Sequence, residues 1–261
     1  MSQQEALQGA ALGLLDRIDR RQNLTEVSVL KTLRDWEFDL SGKKVLDLGC
    51  SDGGGTFAFA MAGATARGVE LDPLRVDAAR GAEETIRSGA EFQVGNALEA
   101  PRGADDGWAD LVVLQEVVEH VPDLEGALAS AYGWAKDGGY CYVSFPPYFS
   151  PVGGHHHYAR APFRFMPWLH LLLPVSMLLK TLPDDEDYRE EVRTINQITI
   201  ARFERVAERL GWKIEERQAD IVRPSISLKM GLPIVSGNWL GSVPLLREMF
   251  LTGVQYLLVK K

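Results

Sequence analysis

The sequence has very little cysteine, with Cys50 and Cys141 the two thiols among 261 residues. They lie far apart and fit neither a disulfide framework nor a zinc site, which indicates a reducing compartment. The first residues carry Glu5 where a signal peptide would have Lys or Arg, and they lack a clear cleavage pattern. We therefore expect a cytoplasmic protein.

Positive charge is also scarce. Lys and Arg total 28 against 36 Asp and Glu, which gives a net charge of −8 at pH 7. This is the wrong sign for broad contact with nucleic-acid phosphates, so we expect no nucleic-acid partner. Hydrophobic residues at 46% and charged residues at 25% are typical of a folded globular chain and exclude intrinsic disorder.

Long uninterrupted apolar runs are absent. The longest, from Phe165 to Leu179, is short for a membrane span and is broken by Pro167, His170 and Pro174. We therefore predict no transmembrane helix. Three alternatives stay open for this run: a lid on its own domain, a contact in a homodimer, or a peripheral contact with a lipid surface.

From Lys43 onward, short apolar runs alternate with amphipathic helical segments, which is typical of a parallel sheet with crossover helices. Apolar spacing predicts two helices before this region, over Leu7–Ile18 and Val27–Leu33. The predicted strands are Lys44–Leu48, Ala66–Leu71, Glu91–Val94, Leu111–Leu114, Tyr140–Phe145, Trp212–Ala219 and Val254–Val259. The predicted fold class is α/β, a doubly wound, mostly parallel seven-stranded sheet with a helical lid insertion.

Four regions follow from this pattern. Residues 1–40 form N-terminal helices that are part of a lid, and residues 41–147 form a cofactor-binding core. Residues 148–198, where the alternation stops, form a substrate-side insertion whose acidic stretch from Asp184 to Glu191 is expected to be solvated. Residues 199–261 supply a final helix and strands that complete the core.

A glycine-rich turn follows the first predicted strand, in the stretch VLDLGCSDGGGT from Val45 to Thr56. In a doubly wound sheet, ligands bind at the carboxyl ends of the strands, where such a turn lets the backbone approach them closely. A dinucleotide-binding turn would read GxGxxG, but Ser51 stands at the second glycine position, and Asp47 and Asp52 flank the place of a pyrophosphate. This pattern disfavours NAD and favours a ligand that carries positive charge.

Four further segments follow that turn in order. They are GVELD ending at Asp72, GNA ending at Ala97, DLVVLQEVVEH ending at His120, and KDGG ending at Gly139. Together the five segments resemble the class I S-adenosylmethionine-dependent methyltransferases, especially the small-molecule group called methyltransferase type 11. The resemblance covers about residues 43 to 147. It implies a Rossmann-like fold and S-adenosylmethionine as cofactor, which carries a sulfonium and an ammonium but no phosphate.

The resemblance also implies a set of cofactor-binding residues. Glu70 would accept from both ribose hydroxyls, and Asn96, where an Asp is common, would accept from the adenine amino group. Ser51 replaces a common glycine, which is tolerable if its backbone dihedrals are ordinary. The set is Asp47, Gly49, Cys50, Ser51, Asp52, Gly53, Glu70, Leu71, Asn96, Ala97, Gln115 and Glu116.

Histidines follow the fifth predicted strand. Methyl transfer from a sulfonium is an in-line displacement, and a base is needed only if the acceptor must lose a proton. His155, His156 and His157 are candidate bases because histidine titrates near neutrality, and His120 either contacts substrate or braces a turn. The alternatives are loop histidines that bind backbone or water, or a metal site of His155 and His157 with Glu119 or His120. Ligand spacing alone is weak evidence, so we predict no metal ligand.

The residues after the fifth strand also bear on the acceptor. Pro146-Pro147-Tyr148 differs from the DPPY or NPPY motif of amino-group methyltransferases, because Phe145 cannot accept a hydrogen bond from an amino group. The implied function is methyl transfer to oxygen or nitrogen of a small molecule with an apolar part, such as a glycan or lipid precursor or a secondary metabolite. The alternative is a non-catalytic S-adenosylmethionine-binding or regulatory protein.

Overall fold

The computed structural model describes residues 3–101, 103–155, 159–163 and 166–261. The helices are α1 (Gln3–Thr25), α2 (Lys31–Asp35), α3 (Gly54–Met61), α4 (Pro73–Ile86), α5 (Leu124–Trp134), α6 (Leu169–Leu172), α7 (Val175–Thr181), α8 (Glu186–Thr194), α9 (Ile200–Arg209), α10 (Pro224–Met230) and α11 (Pro244–Phe250). The strands are β1 (Lys44–Leu48), β2 (Thr65–Glu70), β3 (Glu91–Val94), β4 (Ala109–Gln115), β5 (Ala135–Phe145), β6 (Trp212–Val222), β7 (Val235–Ser236) and β8 (Gly253–Lys260).

The strands form a sheet in the order β3-β2-β1-β4-β5-β8-β6-β7. The α/β class is confirmed, but the count of seven strands was one too low, because β7 was not predicted. That strand has two exposed residues, too few to show an alternating pattern. Strand β5 also begins at Ala135, five residues before the predicted start at Tyr140. Within Lys136–Gly139, Gly138 alone has a positive φ.

By Cα proximity the chain divides into two compact units. The first contains Met1–Gln115, Ser130–Cys141 and Lys260, and the second contains Glu116–Ala129, Tyr142–Val259 and Lys261.

In the first unit, β1 pairs in parallel with both β2 and β4, and β2 pairs in parallel with β3. The register aligns Leu48 with Val69, and Glu70 with Val94. The carboxyl ends of these four strands therefore lie along one edge of the sheet, where the predicted cofactor residues are concentrated.

Helix α1 packs on α3 in the same unit. The two buried rings of Phe57 and Phe92 meet edge to face at 5.1 Å between centroids, in a cluster that includes Ile18 of α1. A Cβ on Gly54 would lie 2.6 Å from Arg21 Cβ, so only glycine allows this approach. The two predicted N-terminal helices are one continuous helical segment, joined by a π-helical turn over Glu26–Leu30, because no proline or glycine interrupts residues 14–35.

In the second unit, α9 shows the predicted amphipathic pattern. Thr199 caps it by accepting a hydrogen bond from the Arg202 amide at 3.0 Å. Its buried Phe203 ring lies 4.7 Å from the ring of Tyr256 and 5.0 Å from that of Phe145, measured between centroids. The helix ends just before Gly211, whose φ of 94° only glycine readily adopts.

The apolar run between Phe165 and Leu179 has two faces. Leu169 and Leu178 are buried in a cluster with Leu182 and Val192, whereas Leu172 and Val175 are 70% and 51% exposed. Within the described part of the chain, no helix combines the length and hydropathy that crossing a membrane requires.

Candidate functional site

The glycine-rich turn between β1 and α3 is held at the end of β2. The amides of Gly49 and Cys50 both donate to the carbonyl of Val69, at 2.8 and 3.1 Å. Gly49 and Gly53 have φ values of 78° and 86°, which glycine adopts without steric cost. The turn therefore follows a left-handed path that brings its backbone close to whatever lies at this edge of the sheet.

Ser51 also has a positive φ, 53°, so the condition under which serine is readily tolerated at this glycine position is not met. A left-handed serine costs about 1 kcal/mol relative to glycine. Two contacts offset that cost: the Ser51 amide donates to Glu70 Oε2 at 2.9 Å, and its Oγ accepts from Arg75 Nη1 at 2.5 Å. Ser51 therefore ties the turn to both β2 and α4.

Asp47 lies near the end of β1 and is buried, with 5% of its surface exposed. Its Oδ2 accepts a hydrogen bond from Thr56 Oγ1 at 2.8 Å. Burial raises the pKa of this carboxyl to about 6, while Thr56 and the charge of Arg21 partly counter the rise. A cation bound beside Asp47 would stabilise its ionised form, so the carboxyl suits a positively charged ligand.

Glu70 ends β2 with its carboxylate directed to three backbone amides. Oε2 accepts from Ser51, and Oε1 accepts from Leu71 at 2.8 Å and from Asp72 at 3.1 Å. A carboxylate has about four acceptor sites, so capacity remains for a ligand hydroxyl. The structure thus gives Glu70 a role that sequence reasoning missed, which is to fix the glycine-rich turn.

Two residues assigned to the cofactor contact α1 or its continuation instead. Asp52 Oδ2 forms an ion pair with Arg17 Nε at 2.9 Å, and Gln115 Oε1 accepts from Thr25 Oγ1 at 2.9 Å. Arg21 Nη2 also donates to the main-chain oxygen of Gln115 at 2.8 Å. Both side chains therefore help to hold the N-terminal helical segment over the strand ends.

At the carboxyl end of β3, the side chain of Asn96 stabilises a turn. Asn96 Oδ1 accepts from the Leu98 amide at 3.0 Å, and the Gly95 amide donates to the Glu70 carbonyl at 2.9 Å. Ala97 is half-buried, and Leu71 is 65% exposed. This places a hydrogen-bonding turn and an exposed apolar side chain next to Glu70.

Glu116 belongs to the second unit and has a φ of 57°. Its Oε2 lies 2.5 Å from Arg223 Nη1 in a largely buried ion pair, and its amide donates to Ser144 at 3.0 Å. The Glu116 side chain thus pairs with Arg223, which lies 107 positions away in the sequence. No local sequence pattern predicts this ion pair.

The second unit also brings three of the singled-out side chains together. The rings of His120 and His155 lie 5.0 Å apart between centroids, and Glu119 contributes a carboxylate to the same cluster. Glu119 and His155 are 1% and 4% exposed. His156 and His157 lie outside the described residues, so their candidate role stays a prediction.

The sheet and its strand-end residues match a known domain family. Residues 46–143 match a family model described as a methyltransferase domain. This part of the chain, which contributes strands to the α/β sheet described above, therefore resembles a methyltransferase domain.

Two curated relatives are both named ubiquinone biosynthesis O-methyltransferase. The protein from Thiobacillus denitrificans is 37% identical over 112 residues, which are 42% of this chain and 47% of the relative. The protein from Shewanella pealeana is 30% identical over 164 residues, which are 61% of each chain. This chain thus spans about half to three fifths of the length of these curated relatives.

A solved structure also resembles this chain. It is an S-adenosylmethionine-dependent methyltransferase from Thermotoga maritima, described as a possible histamine N-methyltransferase. The TM-score is 0.60, the match covers 96% of each chain, and the identity is 15%. At this identity the likeness shows a shared fold.

Proposed function

We propose that the protein transfers the methyl group of S-adenosylmethionine to an oxygen or nitrogen atom of a small molecule with an apolar part. The observation that carries the proposal is the placement of Asp47, the glycine-rich turn and Glu70 at neighbouring strand ends of a methyltransferase domain. When bound there, S-adenosylmethionine supplies a methyl group activated by its sulfonium.

The chain's own residues would bind and orient that cofactor. The buried Asp47 carboxylate favours the cationic part, and the remaining acceptor capacity of Glu70 suits a ribose hydroxyl. The ion pair of Arg17 with Asp52 fixes the N-terminal segment to the turn. Once methyl and acceptor are aligned, most of the rate enhancement comes from their positioning.

Two observations support an acceptor with an apolar part. The curated relatives are named for ubiquinone biosynthesis, and exposed apolar side chains are concentrated in two stretches of the second unit. One stretch contains Leu172 and Val175, and the other contains Trp239 and Leu245, both 69% exposed. Neither stretch identifies the acceptor atom, so the assay must include both oxygen and nitrogen acceptors.

The second stretch, residues 224–246, supports peripheral contact with a lipid surface. Lys229 is its single charged residue, although the whole chain has a net charge of −8. An exposed apolar segment without acidic groups can enter the headgroup region of a bilayer without repulsion from anionic lipids. We therefore propose that an apolar acceptor reaches the protein at a membrane surface.

The test is transfer of tritium from methyl-labelled S-adenosylmethionine to a panel of acceptors. The panel pairs a phenol bearing a prenyl chain with the same phenol lacking it, and an alkyl amine with histamine. We expect label in at least one acceptor that carries a chain and little in its chain-free partner. If the protein binds S-adenosylhomocysteine but labels no acceptor, the catalytic proposal is contradicted.

A further inference from the structure

The cluster of Glu119, His120 and His155 has the composition of a metal site. One ligand atom from each of the three residues lies within 4.8 Å of the others. Ligands around a tetrahedral zinc ion lie about 3.4 Å apart, so side-chain movements of about 1 Å would complete the coordination. We propose that this cluster binds a divalent transition-metal ion such as Zn²⁺ or Fe²⁺ through two imidazoles and one carboxylate.

Burial supports this assignment over a solvated surface cluster. Glu119 and His155 expose 1% and 4% of their surfaces. Carboxylates at such depth are found paired, hydrogen-bonded or bound to metal ions, because isolating their charge from water is costly. Two nitrogen donors and one oxygen donor leave coordination positions for water or a ligand, which is the pattern of catalytic rather than structural metal sites.

Hydrogen bonds from Asn196, a residue distant in the sequence, fix the backbone that carries Glu119 and His120. The Asn196 amide donates to the Glu119 carbonyl at 2.7 Å, and Asn196 Nδ2 donates to the carbonyls of Val118 and Val121 at 2.6 and 2.7 Å. Three hydrogen bonds from one residue thus set the conformation of this turn. Asn196 is therefore a positioning residue, one that orients ligands without binding the ion.

His155 lies in a tight loop, in a segment separate from the one that carries Glu119 and His120. Its amide donates to the Val152 carbonyl at 3.1 Å, and its φ is 53°. Gly153 and Gly154 precede it at positions where a Cβ would lie 2.2 Å from Tyr148 O and 2.1 Å from His170 Cβ. The loop can pack this closely only with glycines, and that packing directs the buried imidazole toward His120.

The ion has an evident use if the proposed function holds. A hydroxyl oxygen bound to a divalent cation would have a lowered pKa and could release its proton to water. Its lone pair would then form the bond to the methyl carbon while the bond between that carbon and the cofactor's sulfur breaks, so that S-adenosylhomocysteine leaves with the electron pair. This use rests on the proposed function, whereas the metal site itself does not.

The test is titration of tag-free, chelator-treated protein with Co²⁺, followed by its visible absorption, and with Zn²⁺ in competition. We expect one site with the spectrum of nitrogen and oxygen ligands. Glu119→Gln, His120→Asn and His155→Asn should each weaken binding at least about tenfold, a loss of about 1.4 kcal/mol. The matched carboxyl control, Glu125→Gln on the exposed side of α5, should bind like the wild type.

Three results would overturn the site: no cobalt spectrum in the wild-type protein, a thiolate charge-transfer band, or wild-type affinity in both Glu119→Gln and His120→Asn. Asn196→Ala is the second line of evidence, because it removes the two side-chain hydrogen bonds to Val118 and Val121 and leaves all ligands in place. It should weaken binding about tenfold with the same spectrum. None of these readouts requires methyl transfer, so a failed acceptor assay would not be mistaken for failure of the metal site.

Discussion

At the scale of single residues, Asp47 and Ser51 show how much the site depends on local environment. The sequence predicted both positions, but not that burial raises the pKa of Asp47 to about 6 or that Ser51 takes a φ of 53°. The raised pKa comes from burial of Asp47 in the folded unit, which Thr56 and Arg21 only partly counter. The left-handed backbone of Ser51 is held by its contacts with Glu70 and Arg75.

The raised pKa gives the first residue-scale prediction. The folded value is about 6 and the ordinary one 3.8, so the native state binds more protons between these values. The cofactor-free wild type should lose up to about 3 kcal/mol of stability as pH rises from about 4 to about 6. Asp47→Asn should remove this loss and be more stable than wild type at pH 7.5.

The measurement is urea unfolding of both cofactor-free proteins across that pH range. Asp77→Asn is the matched control, because its carboxyl is 73% exposed and lies on the outer side of α4. Equal pH dependence in wild type and Asp47→Asn would show that the carboxyl is not held in an unfavourable buried environment. The same variant should bind S-adenosylhomocysteine more weakly.

At the scale of elements, the sequence patterns predicted the positions of the strands more accurately than they predicted contacts between elements that are distant in the chain. Both ends of β1 and β3 were predicted correctly, and each strand is a short run followed at once by a glycine, Gly49 or Gly95. The start of α4 at Pro73 also follows from local sequence, because Asp72 caps the helix by accepting from the Leu74 amide at 2.9 Å. Two of the contacts that hold the N-terminal segment join residues 35 and 90 positions apart, so no local pattern could reveal them.

The exposed stretch of residues 224–246 gives the element-scale prediction. Vesicles that contain phosphatidylglycerol should bind the protein, and the double variant Trp239→Ser, Leu245→Ser should bind them about tenfold or more weakly, since both side chains lose apolar contact area. The measurement is co-sedimentation with vesicles. The control is Met61→Ser, Leu74→Ser, which removes comparably exposed apolar side chains from the first unit. Equal loss in both double variants would indicate non-specific hydrophobic adhesion.

At the scale of the whole molecule, the sequence predicted the α/β class, the cofactor and the kind of chemistry, because five segments around strand ends carry them in order. It could not predict which of the acids in these segments form ion pairs within the fold. Asp52 and Glu116 are paired with Arg17 and Arg223, whereas Asp47 and Glu70 keep their place at the strand ends. The positions of the Asp47 and Glu70 carboxylates are therefore better evidence for a cationic cofactor than the net charge of −8 is.

Calorimetric titration with S-adenosylhomocysteine tests the central claim most directly, because it requires no acceptor. We predict saturable binding by the wild type, a loss of at least about tenfold in Glu70→Gln, and no change in Glu91→Gln, an exposed acid at the start of β3. Circular dichroism would establish that both variants fold. No binding at millimolar ligand, or wild-type affinity in Glu70→Gln, would contradict the assignment of these strand ends as the cofactor site.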